Sequence, residues 1–95
     1  MDLQVLNRFD LNTLVALKVL LDERHVTRAA EKLSLTQSAV SRILAKLRQD
    51  FDDPLLVKSG KHLSLTPKAE RLYLPLSKIL EQITGLLLPE SFDPL

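Results

Sequence analysis

The spacing of apolar residues along the chain predicts a series of helices and one short hairpin. Between residues 11 and 21 the run LNTLVALKVLL is apolar nearly all round, and Asp10 precedes it as a candidate N-cap. This pattern predicts a core helix over residues 10–24. A second, shorter helix is predicted over residues 27–34, with Thr27 as its cap and two alanines on one face.

The third predicted helix, residues 36–51 with Thr36 as its N-cap, has two chemically different sides. Apolar residues recur at i, i+3, i+4, i+7 and i+11, a spacing that predicts one buried stripe. The stripe consists of Val40, Ile43, Leu44, Leu47 and Phe51. The other side carries Gln37, Ser38, Ser41, Arg42, Ala45, Arg48 and Gln49. A tight connection at Ser34 and Leu35 joins this helix to the one before it.

A change of pattern after Phe51 predicts a β-hairpin over residues 55–65. The sequence DDP ends the third helix, and LLVKSGKHLSLT then gives two short runs with a turn at Ser59 and Gly60. The tip of this hairpin is basic, because it is surrounded by Lys58, Lys61 and His62.

Thr66 and Pro67 predict the N-cap and first residue of a long helix over residues 67–88. Its apolar residues are spaced 3, 4, 3, 4, 3 from Ala69 to Leu86, which is typical of a helix that packs along another helix. That partner is either a second copy of the chain or the first predicted helix of the same chain. The candidate dimerisation residues are Leu72, Leu76, Ile79, Leu80, Ile83 and Leu86.

Composition narrows the classes of function. The 95 residues fit one small domain, and the absence of cysteine excludes disulfides, thiolate metal sites and a cysteine nucleophile. No run reaches the ~18 apolar residues of a membrane span, and the N-terminus lacks a secretory signal. Neither His25 nor His62 has neighbours arranged as a catalytic triad or metal site. We therefore expect a cytoplasmic protein that is not an enzyme, with no membrane contact, no cofactor and no metal.

The formal net charge of +1 hides an uneven distribution. Nine basic and four acidic side chains lie within residues 24–68, a local charge of +5, whereas the segments on either side each carry −2. Concentrated positive charge is typical of proteins that bind a polyanion, and a solvated basic face without a partner is the alternative.

Two helices joined by a short turn, the second exposing small polar side chains, are typical of a helix-turn-helix that enters the major groove of DNA. Gln37 can pair with adenine and Arg42 with guanine, while Lys58 and Lys61 at the hairpin tip would act as a wing that reaches the adjacent phosphates or the minor groove. The predicted DNA-binding residues are Arg28, Thr36, Gln37, Ser38, Ser41, Arg42, Lys46, Lys58, Ser59 and Lys61. The rival interpretations are ordinary helix-end residues and solvated charges, a winged-helix module that binds protein, and a nonspecific nucleoid-type binder.

The segment VTRAAEKLSLTQSAVSRILAKLRQDFDDPLLVKSGKHLSLTPKAERL resembles the N-terminal DNA-binding domain of LysR-type transcriptional regulators, and the resemblance covers residues 10–88. The stretches FDDPLLVK and SFDP are similar to the branch that includes nodulation and leucine-response regulators. Ser34 stands where the family usually has a turn glycine. Lys58 and Lys61 stand where it commonly has arginine, which favours point-charge contacts over bidentate ones.

This resemblance implies a mainly α fold: a winged helix-turn-helix of three helices plus a two-stranded β wing, followed by a long dimerising linker helix. It implies a DNA-binding domain at residues 1–66, the linker helix at 67–88 and, at 89–95, the start of a linker to an effector domain that the chain lacks. Members of the family are bacterial and bind partly palindromic promoter DNA as homodimers. Full-length chains form higher oligomers and take a small-molecule effector through the C-terminal domain.

Overall fold

The computed structural model describes residues 1–89, which form five helices and one hairpin. In chain order the elements are α1 (Leu3–Arg8), α2 (Leu11–Glu23), α3 (Val26–Leu33), α4 (Gln37–Phe51), β1 (Leu56–Ser59), β2 (His62–Leu65) and α5 (Pro67–Leu87). The four predicted helices and the predicted hairpin are confirmed. Helix α1 is an addition that the apolar pattern did not predict.

Helix α1 is too short for helical periodicity to reveal it. It has six residues, none of them buried, and its N-cap Asp2 accepts a hydrogen bond from the Val5 amide at 3.1 Å. It is followed by Phe9, whose ring lies 5.4 Å, centroid to centroid, from the Phe51 ring at the end of α4.

The core lies where α2, α3 and α4 meet. Helix α2 contributes the fully buried Leu17, Leu20 and Leu21, and α4 contributes Val40 and Leu47 from the predicted stripe. The two alanines of α3 are also buried, and their small side chains let α2 and α4 approach closely. Because the apolar face of α4 is buried in this core, the opposite side of the helix faces solvent.

Three of the four predicted caps form, and one is wrong. Side-chain oxygens of Asp10, Thr36 and Thr66 each accept a hydrogen bond from the amide three residues later. Helix α3 instead begins at Val26, capped by the Nδ1 atom of His25, which accepts from the Arg28 amide at 3.2 Å. Thr27 is therefore inside the helix, because the imidazole two residues earlier already provides the acceptor.

The turn between α3 and α4 closes without glycine. Ser34 adopts a left-handed conformation with φ of +56°, and its amide donates to the Glu31 carbonyl at 3.2 Å. The Leu35 amide donates to the Ala30 carbonyl at 3.0 Å, which completes the paired hydrogen bonds of a Schellman ending. This short turn fixes the angle at which α4 leaves α3.

The hairpin is antiparallel and pairs Leu56 with Leu65 at its base and Ser59 with His62 at its tip. The two turn residues are Gly60 and Lys61, one position later than predicted. Gly60 has φ of +65°, a conformation that glycine adopts without steric cost at the first position of a tight hairpin turn. The turn therefore places Lys61 at the outermost point of the wing.

Within residues 1–89, no helix combines the length and the apolar content needed to cross a bilayer.

Pro75 lies inside α5, and the local bend expected from it stays a prediction.

Candidate nucleic-acid interface

The first two turns of α4 present an exposed polar face. Gln37, Ser38, Ser41 and Arg42 are all exposed, as the apolar spacing of this helix predicts. Thr36 is also exposed, but its hydroxyl accepts from the Ala39 amide at 3.1 Å and is occupied as the cap. The first turn of α4 contains no acidic residue, so the partial positive charge of the helix N-terminus is not offset there.

A cleft separates this face of α4 from the wing. Ser41 and Arg48 of α4 line one wall, and Lys58 of β1 lines the other, around about 470 Å³. The predicted wing residues Lys58, Ser59 and Lys61 are exposed. The fold thus brings the predicted residues Ser41 of α4 and Lys58 of the hairpin to one cleft.

A second, cationic cleft lies between the start of α3 and the wing tip. It encloses about 560 Å³ and is lined from the α3 side by Arg24, His25 and Arg28, and from the wing by Lys61 and His62. Its acidic wall residue, Glu23, is paired with Lys32 at 3.0 Å. Arg28 and Lys61 are among the predicted DNA-binding residues, and His62 belongs to the predicted basic tip, whereas the sequence gives no signal that places Arg24 and His25 beside the wing.

Lys46 is the predicted residue that the fold directs elsewhere. Its ammonium lies 2.8 Å from an Asp50 carboxylate oxygen and 3.4 Å from the Arg8 carbonyl oxygen, and it stands over the Phe9 ring at 6.0 Å from the centroid. The positive charge of Lys46 is therefore compensated on the α1 side of the molecule.

Arg48 is exposed, as its place on the outward face predicts, but its guanidinium is engaged by backbone atoms. Its Nε donates to the Pro54 carbonyl at 2.8 Å and its Nη2 donates to the Leu56 carbonyl at 2.9 Å. The guanidinium thus bridges α4 to the start of the hairpin. No sequence pattern reveals this contact, because both acceptors are backbone atoms.

The base of the wing is held by Asp53. One of its carboxylate oxygens accepts from the Thr66 hydroxyl at 2.6 Å and from the Leu55 amide at 2.8 Å. The Thr66 hydroxyl, and secondarily the Leu55 amide, hold the pKa of Asp53 below its ordinary value against the opposing effect of partial burial. Since Thr66 is also the cap of α5, this carboxylate joins the wing to that helix.

The candidate dimerisation residues divide into two groups. Leu76 is buried at 6% exposure, and Leu72 and Leu80 pack against the same core, so this part of the stripe meets α2 of its own chain. The Tyr73 hydroxyl on the same helix donates to the Asp22 carboxylate of α2. The open alternative, packing against the first predicted helix, is therefore correct for Leu72, Leu76 and Leu80.

The outer residues of α5 make a different surface. Ile79 is 46% exposed and Leu86 is 81% exposed. Ile83 is half-buried and lines an apolar cleft of about 320 Å³ together with Leu6 of α1 and Leu14 of α2. This outer surface is apolar and faces solvent.

Residues 11–70, more than half of the chain, match the family model described as bacterial regulatory helix-turn-helix protein, lysR family. The chain belongs to the LysR family. This match includes α2 to α4, the hairpin and the first turn of α5, so the resemblance noted from the sequence is confirmed.

LysR-family relatives support the same assignment. The chain is 46% identical over 86 residues to the HTH-type transcriptional regulator SyrM 1 of Sinorhizobium fredii, covering 90% of this chain and 25% of the relative. It is 44% identical over 86 residues to nodulation protein D of a Bradyrhizobium strain, with the same two coverages. The chain thus spans about a quarter of the length of these relatives.

Solved structures of LysR-type proteins share the fold. A probable transcriptional regulator of Pseudomonas aeruginosa superposes with a TM-score of 0.83 and 34% identity over 97% of this chain and 30% of its own. The BenM DNA-binding domain, solved with catB site 1 DNA, gives a TM-score of 0.77 at 24% identity over 83% of this chain and 89% of its own. Vibrio fischeri DarR, solved in complex with DNA, gives 0.72 at 25% identity, over 81% and 26%.

The predicted linker at residues 89–95 stays a prediction, because residues 90–95 lie outside the described part of the chain.

Proposed function

We propose that this chain is the DNA-binding part of a LysR-type transcriptional regulator and binds promoter DNA sequence-specifically, with α4 in the major groove and the hairpin as wing. The observation that carries the proposal is the exposed, acid-free start of α4 lying beside a cationic wing. The complexes of BenM and of DarR with DNA support it, because both proteins share this fold.

The dimensions of α4 suit direct reading of bases. The major groove is about 12 Å wide and a helix with its side chains is about 10–12 Å across, so bulky residues on the approaching face would hold it away from the bases. Ser38, Ser41 and Ala45 are short and exposed. Gln37 then reaches an adenine edge and Arg42 a guanine edge, the pairings that their donors and acceptors favour.

The remaining predicted residues contact the sugar-phosphate backbone in this proposal. The wing contacts the phosphates of one DNA strand through Lys58, Ser59 and Lys61. Arg28, which lines the second cleft, contacts another phosphate. The amides at the start of α4, beside Thr36, favour a phosphate oxygen as a third contact. Lys46 contributes least, because its charge is already paired with Asp50.

A second copy of the chain is the proposed partner of the outer surface of α5. Ile79, Ile83 and Leu86 would pack against the same residues of the copy, whereas Leu72, Leu76 and Leu80 remain in the core of each chain. Dimerisation would present two α4 helices to the two halves of a partly palindromic site.

We further propose the domain order that the family resemblance implies: DNA-binding residues 1–66, linker helix 67–88 and a connecting segment at 89–95. The same resemblance is the basis for proposing an effector domain, higher oligomers of the full-length regulator and a cytoplasmic location, while the chain itself covers about a quarter of the length of two relatives.

Enrichment of duplexes from a randomised library tests the DNA proposal. We expect a partly palindromic sequence to emerge, bound at least about 10³-fold more tightly than the unselected pool at about 150 mM salt. Fluorescence anisotropy with the enriched and unselected duplexes measures that ratio. Equal affinity for both pools would contradict sequence-specific binding, and no saturable binding at low salt would exclude DNA as the ligand.

A further inference from the structure

The segment that leads into the wing, residues 54–56, is held at every carbonyl. Arg48 donates to the Pro54 and Leu56 carbonyls, and the Thr66 amide donates to the Leu55 carbonyl at 3.0 Å. The Asp53 carboxylate accepts from the Leu55 amide. We call these three residues the anchor segment.

The anchor segment contains an unusual backbone conformation. Leu55 is fully buried and has φ of +65°, in the left-handed region that a branched side chain rarely adopts. Such a conformation persists only where the surrounding contacts fix it. The hydrogen bonds donated by Arg48 and Thr66 and the one accepted by Asp53 fix this conformation. They therefore restrict movement at the start of β1.

Each contact ties the anchor segment to a different element. Asp53 joins it to the loop after α4, and Thr66 joins it to the start of α5. Arg48 joins it to α4 itself, three turns after the proposed base-reading residues begin. Among these three contacts, that of Arg48 is the one that links the anchor segment directly to α4.

We propose that Arg48 is a positioning residue, which makes α4 and the wing engage duplex DNA as one rigid unit. This inference rests on the proposed function. It assigns Arg48 no contact with DNA, since its Nε and Nη2 donors are occupied by the two carbonyls. Without Arg48, the wing lysines would lose their register with the bases read by α4.

A double-mutant comparison tests the proposal. The probe is the duplex enriched from the randomised library, and the readout is the slope of log affinity against log salt concentration for the whole chain. Lys61→Ala is expected to reduce the magnitude of that slope by about 1 in the wild-type background, because one phosphate contact is lost. In an Arg48→Ala background, the same substitution is expected to change the slope by less than half as much.

Gln49→Ala is the matched control background, because Gln49 is the exposed neighbour of Arg48 on α4. There the effect of Lys61→Ala is expected to stay at about 1. Equal effects of Lys61→Ala in all three backgrounds would overturn the positioning role. They would instead indicate that Arg48 and Lys61 act on DNA independently.

A folding defect in Arg48→Ala is controlled with Arg48→Lys, which keeps the charge and the stem but replaces two fixed donors by one ammonium. Far-ultraviolet circular dichroism shows which of the two Arg48 variants is folded. In the folded variant, Lys61→Ala is again expected to change the salt slope by less than half as much as in the wild type. If the wild-type chain itself fails to bind the duplex, the proposed function fails. If it binds and Lys61→Ala acts alike in every background, only the positioning role fails.

Discussion

The exposed faces of α4 and α5 differ in the kind of partner that each can accept. The outer face of α4 is polar and cationic, with Gln37, Ser41 and Arg42 in solvent. The outer face of α5 is apolar, with Ile79 and Leu86 in solvent. Water satisfies the first face at no cost, whereas the second leaves apolar area exposed, at about 25 cal/mol per Å².

Amphipathic spacing therefore identifies which side of a helix is buried, but it does not identify what binds to the other side. In α4 the chemistry of the exposed side chains indicates an anionic, hydrogen-bonding surface. In α5 it indicates another apolar surface. The wing belongs with α4 in this comparison, because Lys58 lines the same cleft as Ser41 of α4.

The largest expected effect contrasts the two sides of α4. Leu47→Ala empties a fully buried position, so we expect it to lower the free energy of unfolding by about 2–5 kcal/mol. Gln49→Ala, on the exposed side, is expected to change it by less than about 0.5 kcal/mol. Urea unfolding of both variants measures the difference, and similar losses would show that the two sides are not distinct.

The next effect sharpens the assignment of the exposed side of α4 to base reading. Arg42→Ala is expected to weaken binding to the enriched duplex by about 1–3 kcal/mol, because a bidentate contact with a base is lost. Binding to the unselected pool should hardly change. Anisotropy titrations at constant salt measure both affinities, and a uniform loss on both duplexes would reassign Arg42 to a phosphate.

A smaller effect tests the apolar side of α5. Ile79→Asp places a charge in the proposed helix pair, so we expect the dimer dissociation constant to rise at least tenfold, or about 1.4 kcal/mol. Sedimentation equilibrium measures it. The control Thr84→Asp adds the same carboxylate to an exposed position on another side of α5 and should leave the dimer intact.

Leu76→Asp distinguishes the two halves of the α5 stripe. Because Leu76 is buried in its own chain, this variant is expected to unfold the protein instead of yielding folded monomers. A folded monomer from Leu76→Asp, or an unchanged dimer from Ile79→Asp, would contradict the division proposed for this helix.

The smallest effect concerns the carboxylate that joins the wing to α5. The pKa of Asp53 is lower in the folded chain than the ordinary value of about 3.9. Its stabilising contribution is therefore complete above about pH 4 and is lost as the pH falls through the lowered folded pKa. We expect the Tm advantage of the wild type over Asp53→Asn to be greatest at neutral pH and to shrink below pH 4.

Thermal melts from pH 7 to pH 2.5 measure that advantage. The exposed neighbour Asp52 provides the control. The difference in Tm between the wild type and Asp52→Asn is expected to be the same throughout this pH range. A constant gap between wild type and Asp53→Asn would show that this carboxylate does not couple folding to protons.

Much of this fold is predictable from the sequence because its determinants are local. The apolar stripe of α4, the caps Asp10, Thr36 and Thr66, and the proline after Thr66 each act within a few residues of one another. The exposed residues of α4 follow from the same periodicity. The family is equally recognisable, because its motif occupies one continuous segment.

The features that were missed depend on contacts between distant residues or on backbone atoms. His25 caps α3 with an imidazole nitrogen, which is a less common choice than the Thr27 hydroxyl beside it. Arg48 is exposed, but its guanidinium donates to two carbonyls of a folded loop that no sequence pattern places within its reach. The spacing of the α5 stripe is equally suited to an internal and an external partner, so only the packing of Leu76 distinguishes them.

The most direct test of the account is the amide spectrum of the isotopically labelled chain, titrated with a pool of duplex oligonucleotides at low ionic strength. We expect the amides of residues 37–42 and 58–61 to shift together, while those of residues 79–87 stay in place. Unchanged amides at the start of α4, or shifts confined to α5, would contradict the claim that the polar face of α4 and the wing form a DNA-binding surface.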